Sequence, residues 1–236
     1  VSQPTLTVYE PAPGKANENL TRPNELVQFD FTKANCMPQS GRRRHVGGAF
    51  DVFSRSVVLL LCDIPSAQAT CDLLLKYITT YGVPREIQID NGREFINARF
   101  EKTCKALAIK IRRTPAYSGN LKAEIERFWR TFSEQTFPNL DSYVGASPSE
   151  RQALRERAVF ARRGQEDKTL AALGLDDEAL DNLVQNFAVV YNNEKHRTLG
   201  MSPEAVRARH RGSWARLDPE QVPAVALLLS KPAGRN

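Results

Sequence analysis

The sequence predicts an α/β fold: a mixed sheet, with a three-strand antiparallel meander plus two parallel strands, flanked by helices and followed by a helical C-terminal extension. Three observations carry this reading. Strand-like segments fill residues 25–64 with only short turns between them. One of them, SVVLLLCDI (56–64), is apolar without interruption, as expected of a strand covered on both faces. From residue 66 to 137 helical and strand patterns then alternate, and short helical crossovers imply parallel strands with helices on both faces of the sheet.

The elements follow in order. ELVQFDFTKANCM (25–37) reads as the first strand, QSGRRRH as a basic turn, and VGGAFDVFSR (46–55) as the returning strand. SAQATCDLLLKYITTYG (66–82) reads as a helix capped by Ser66 and ended by Gly82, with Ala69, Leu73, Leu74, Ile78 and Tyr81 at helical spacing. REIQID is the next strand, residues 94–108 a helix, and IKIRRTP (109–115) a further strand. The loop AYSGN leads into the helix LKAEIERFWRTFSEQTF (121–137). Residues 138–175 are charged and interrupted. DDEALDNLVQNFAVVYNN (176–193) then reads as an amphipathic helix with an acidic first turn, suited to a helix N-terminus. HRTLGMSPEAVRARHR gives a turn and a short basic helix.

Residues 1–24 lack apolar periodicity and read as an extended arm or linker. The expected division is 25–137 for the core, 138–212 for a helical extension, and 213–236 for a linker and the truncated start of a following domain. The chain begins at Val1 and ends in VALLLSKPAGRN, an apolar strand-like run, so it reads as a fragment of a longer protein. Four scattered cysteines without a CxxC pair and three distant histidines argue against a zinc site and for a reduced intracellular compartment. No apolar run approaches a membrane span. The net charge of +6 permits a nucleic-acid partner without requiring one.

Chemistry concentrates in IQIDNGREF (87–95), where a strand ends in Asp90 directly before Asn91-Gly92. Such a turn has backbone reasons of its own. Asp30 lies inside the first strand, sharing a face with Gln28 and Thr32, where a charge is costly unless solvated, paired or ligating. Glu126 lies early in the helix of residues 121–137, and Glu124 is about 200° around that helix from it. Each acid alone has an ordinary reading as a solvated or turn residue. With that sheet order the three are expected to converge beyond the carboxyl ends of adjacent strands, where open α/β sheets place their sites. Converging carboxylates repel and do not all stay ionised without cations, which hard divalent ions supply.

The ordered blocks VQFDFT, AFDVFSR, YGVPREIQIDNGREF and KAEIERFWRTF resemble the catalytic core shared by DDE transposases and retroviral-type integrases, with an RNase H-like fold. The 35 residues between Asp90 and Glu126 match the spacing of that family. YNNEKHRTLGMSPEAV (191–206) resembles the segment after this core in bacterial elements, especially those related to phage Mu and Tn-type transposases. The resemblance covers about residues 25–210. It implies Asp30, Asp90 and Glu126 as the catalytic and metal-binding triad, with Glu124 the competing third carboxylate, and two Mg²⁺ (or Mn²⁺) ions in the active complex. Asp51 falls where the family often has an acid and reads as a strand or turn residue. The loop 116–120 departs from the Pro-Gln-rich loop of retroviral integrases.

The implied activity is divalent-metal-dependent nicking at the element's 3′ end by water, followed by joining of that 3′-OH to target DNA. Implied partners are element-end and target DNA, further copies of the chain, and, from the Mu-related branch, an ATPase that selects targets. A bacterial or phage-encoded protein acting at the nucleoid is the corresponding location. Candidate backbone contacts are Lys110, Arg112, Arg113, Lys122, Arg127 and Arg130, the turn Arg42-Arg43-Arg44, and Arg207, Arg209 and Arg211. Two rivals stand beside this: an RNase H-type nuclease that hydrolyses without strand transfer, and a catalytically inactive DNA-binding module.

Overall fold

A computed structural model describes residues 19–95, 97–114, 122–158 and 174–230. The loop 116–120 and most of the N-terminal arm lie outside them. Strands β1 (Val27–Lys33), β2 (His45–Asp51) and β3 (Val57–Cys62) form the antiparallel meander; β4 (Glu86–Ile89) pairs parallel with β1, and β5 (Lys110–Arg113) parallel with β4. The sheet order β3-β2-β1-β4-β5 puts β1 at the centre.

Period-two alternation sorts each strand between two cores. Val27, Phe29, Ala49, Val58, Ile87 and Ile89 pack against α1 (Ala67–Tyr81) and α2 (Ala98–Ala106). On the opposite face Val46, Phe50, Val57 and Leu59 meet α3 (Ala123–Thr136) and, beyond α4 (Pro148–Ala158), α5 (Asp177–Asn193). The Ser66 hydroxyl caps α1 by accepting the Ala69 N–H at 3.1 Å. Gly82 closes it at φ +92°, a conformation that favours glycine.

Two elements differ from the sequence reading. The helix expected over 94–108 is a short 3₁₀ turn, Arg93–Phe95, followed by α2; the Asn97 side chain accepts the Arg99 N–H at 3.0 Å and restarts the helix there. The run VALLLS is helical: after α6 (Pro203–Arg209), α7 (Val222–Leu229) buries Val225 and Leu229 against the face formed by α1 and α2. An apolar run without periodicity fits a strand and a buried helix equally well.

The C-terminal elements are tied to the sheet by buried polar groups. Asn192 accepts the Val57 N–H at 2.9 Å and donates to the Val57 carbonyl at 2.8 Å, fastening the end of α5 to β3. Arg207 on α6 is 3% exposed. It lies over the Tyr81 ring at 4.0 Å and donates to Asn24 Oδ1 at 2.7 Å.

Candidate active site

The register of β1 and β4 fixes the site. Gln28 stands opposite Gln88, and two residues further along each strand, on the same face, come Asp30 and Asp90. Buried side-chain amides lock this alignment. Gln28 Nε2 donates to Gln88 Oε1 at 3.0 Å, and Gln88 Nε2 donates to Thr114 Oγ1 at 3.1 Å. The Ile125 N–H, in the first turn of α3, donates to Gln28 Oε1 at 3.0 Å. These bonds satisfy groups that would be costly to bury alone, and they seat the N-terminus of α3 over the two aspartates.

Each carboxylate has a fixed oxygen and a shared one. Asp90 Oδ1 accepts the Gly92 N–H at 2.8 Å, so the turn chemistry of Asp-Asn-Gly is present. Asp30 Oδ2 accepts Trp129 Nε1–H at 3.0 Å. The remaining oxygens face one ammonium: Lys122 Nζ is 3.2 Å from Asp30 Oδ1 and 3.7 Å from Asp90 Oδ2. Lys122 is 7% exposed, whereas the Asp30 and Asp90 side chains are 22% and 45% exposed. Trp129 reaches Asp30 because Gly48 stands opposite Asp30 on β2; a Cβ on Gly48 would lie 2.7 Å from the indole.

Two carboxylates around one lysine leave a net charge of −1 at a solvent-accessible position. Hard oxygen donors already converging on a single cation suit a divalent ion such as Mg²⁺ or Mn²⁺. Glu126 is exposed on α3, one turn beyond Lys122 and three residues before Trp129. Among the described residues no group of three or more His, Cys, Asp or Glu side chains is close enough to hold a metal, so the structure brings together Asp30 and Asp90 but not Glu126. Glu124 is turned elsewhere, 3.6 Å from Arg55 and 3.4 Å from Arg127. Arg55 follows β2, beside the start of β1 and away from the end of β4 that carries Asp90. Asp51 is fully buried, accepting the Asn24 N–H at 2.6 Å and the Ser54 N–H at 2.7 Å, with Arg207 at 3.7 Å. It is a structural residue, in keeping with its sequence reading.

Residues 21–119, which hold both aspartates, match the family model of the integrase core domain. The matched segment is under half of the chain. A Gag-Pro-Pol polyprotein of sheep pulmonary adenomatosis virus is 28% identical over 133 residues, 56% of this chain, and the match spans 8% of the polyprotein's length. The fold is similar to the HTLV-2 integrase catalytic core in complex with magnesium, at 17% identity and TM-score 0.51 over 79% of this chain and 97% of that one. A simian T-cell lymphotropic virus intasome is similar at 18% identity and TM-score 0.57, over 84% of this chain and 59% of that one. The catalytic core domain of BIV integrase matches at 18% identity and TM-score 0.50, over 80% of this chain and 97% of that one. These likenesses establish the mixed-sheet, RNase H-like fold of integrase cores.

Around the aspartate pair the basic candidates divide. Arg112 spends its fork on Glu86, at 2.7 and 2.9 Å, and Arg113 pairs with Glu101 at 2.7 Å. Arg44 lies 2.8 Å from Asp63 and 3.0 Å from Asp177. Arg43 donates to the Ala34 carbonyl and to Asn35 Oδ1. Lys110, Arg42, Arg127 and Arg130 are exposed. Arg207 is not available as a DNA contact, since it is enclosed by Asn24, Tyr81 and the Trp214 ring, 4.7 Å away. Lys122, also read as a backbone contact, instead bridges the aspartates. Gly48 and Trp129 escaped sequence reasoning. Their one legible signal is a glycine pair inside a strand, which marks close approach of another group.

Proposed function

We propose that this chain is the catalytic core of a DDE-type DNA transposase or integrase, nicking element 3′ ends and joining them to target DNA. The observation that carries it is the side-by-side placement of Asp30 and Asp90 on one cation within a segment that matches the integrase core domain. Asp30, Asp90 and Glu126 are the residues assigned to hold Mg²⁺ or Mn²⁺, two ions in the active complex. When bound, such ions activate the attacking oxygen and stabilise the leaving oxygen of an in-line displacement. The chain's own part is positional. Trp129 and the Gly92 N–H orient one oxygen of each aspartate, and Lys122 balances their charge. Glu126 lies on the α3 flank that also carries Lys122 and Trp129, which favours it over Glu124.

DNA is the proposed partner, with further copies of the chain assembling on it; an intasome that shares the fold is a parallel. We assign residues 25–137 to the catalytic core and 138–212 to its helical extension. The segment 191–206 supports a Mu-related or Tn-type origin, and an ATPase for target selection belongs to that assignment alone.

The test is nicking and strand transfer on element-end DNA with Mg²⁺ or Mn²⁺. Asp30→Asn, Asp90→Asn and Glu126→Gln should each abolish both steps, while Glu124→Gln retains them. The exposed, separate position of Glu126 favours a second reading, an inactive DNA-binding module. Glu126→Gln with unchanged DNA processing would support a site without that third carboxylate; DNA binding with no processing by the unaltered chain would support the module.

A further inference from the structure

A cavity of about 420 Å³ is lined in part by Trp129, the residue that donates to Asp30. Lys33, Arg43, Arg130 and Arg151 line it, and Glu134 is the one acid among its described lining residues. Among the described residues none of the four cations has a carboxylate within 4 Å. This sets the cavity apart from the β4–β5 edge, where Arg112 and Arg113 are both paired. Four cations gathered in a recess repel one another unless an anion joins them. Burial first, and then the nearby Arg151, lower the affinity of Arg43 for its proton.

Position narrows the anion. Trp129 is both a wall of the cavity and the donor to Asp30. Lys33 lies three residues beyond Asp30 on the same strand, a reach of roughly 10 Å, comparable with the distance between nearby phosphates of one strand. Arg43 is held in place by its bonds to Ala34 and Asn35, so its charge is presented rather than swinging free. A strand whose scissile phosphate sits at Asp30 and Asp90 would carry a neighbouring phosphate to this recess.

We propose that the cavity between β1, α3 and the start of α4 is a backbone-phosphate subsite for the DNA strand engaged at Asp30 and Asp90, with Lys33 and Arg151 as its recruitable cations. This rests on the DNA-processing reading above. A guanidinium and an ammonium there fix the register of the strand and read no sequence.

The experiment is fluorescence anisotropy of the full chain with a labelled duplex across a salt series, comparing the unaltered protein with Lys33→Gln, Arg151→Gln and the double variant. Thermal melts verify that each variant is folded. Removing one phosphate-binding cation should lower the magnitude of the slope of log K against log salt by about 1 per site, and weaken different duplex sequences to the same degree. Slopes and affinities equal to those of the unaltered protein overturn the subsite while leaving the function reading intact. An unaltered chain that binds no duplex removes the function reading, and the subsite with it. Equilibrium dialysis against inorganic phosphate separates the sources. If the double variant no longer binds phosphate but binds duplex as before, the recess is a small-anion pocket and the DNA assignment is contradicted.

Discussion

The indole of Trp129 packs against β2 and also orients Asp30, and both contacts depend on Gly48 having no side chain. Gly48→Ala should therefore push the ring off the sheet and cost about 1–3 kcal/mol, as overpacking does, measured by denaturant unfolding. Trp129→Phe keeps most of the packing and loses one hydrogen bond to a charged group, expected at about 1–2 kcal/mol. Lys122 is the residue whose removal acts on charge. Without its ammonium the two aspartates repel, so Lys122→Gln should melt lower than the parent protein in metal-free buffer. It should also show a larger Mn²⁺-induced rise in melting temperature, with roughly tenfold tighter apparent binding, because a competitor for the same oxygens is gone. An unchanged Mn²⁺ response would mean that the lysine does not compete with the metal.

At the scale of elements, the legible features were those written in local periodicity. Val27 and Phe29 against Gln28 and Asp30 give β1 its two faces, and Ser66 and Gly82 bound α1 as the sequence indicates. The face that Asp30 shares with Gln28 was legible for the same reason, whereas the Gln28–Gln88 register that sets Asp90 beside it is a tertiary feature. Features that depend on tertiary approach were not. Nothing local says that Lys122, one turn before Glu126, reaches down between the aspartates, or that Arg207 turns inward to Asp51. The VALLLS run failed as a strand because its apolarity is continuous, and only packing on α1 and α2 decides its form. The Asn192 clamp gives a test of how firmly the extension is joined. Asn192→Ala leaves the buried Val57 N–H and carbonyl without their partner and should cost about 1–3 kcal/mol, read as a lower urea midpoint.

For the whole molecule, the C-terminal elements belong to the same cooperative body as the sheet. Arg207 joins α6 to Asn24, Tyr81 and Asp51, so Arg207→Met leaves Asp51 short of its buried counter-charge and should cost about 3–5 kcal/mol. Thiols wholly or partly withdrawn from water set the alkaline limit. Burial pushes Cys36 and Cys62 up to about 11 and Cys104 up to about 12, from an ordinary value of 9.0. The folded chain keeps these protons where the unfolded chain has released them. Their stabilisation is thus full below about pH 9 and is lost as pH rises through 11–12. Melting temperatures across that range should fall; a flat profile would contradict the burial of these thiols.

The central claim is that Asp30 and Asp90 form a divalent-metal site, and anomalous diffraction from crystals soaked in Mn²⁺ tests it most directly. The expected result is a peak about 2.1–2.4 Å from an oxygen of each aspartate, with the Lys122 ammonium moved aside. Crystals in which saturating Mn²⁺ leaves Lys122 bridging the pair, with no peak between the carboxylates, would contradict it.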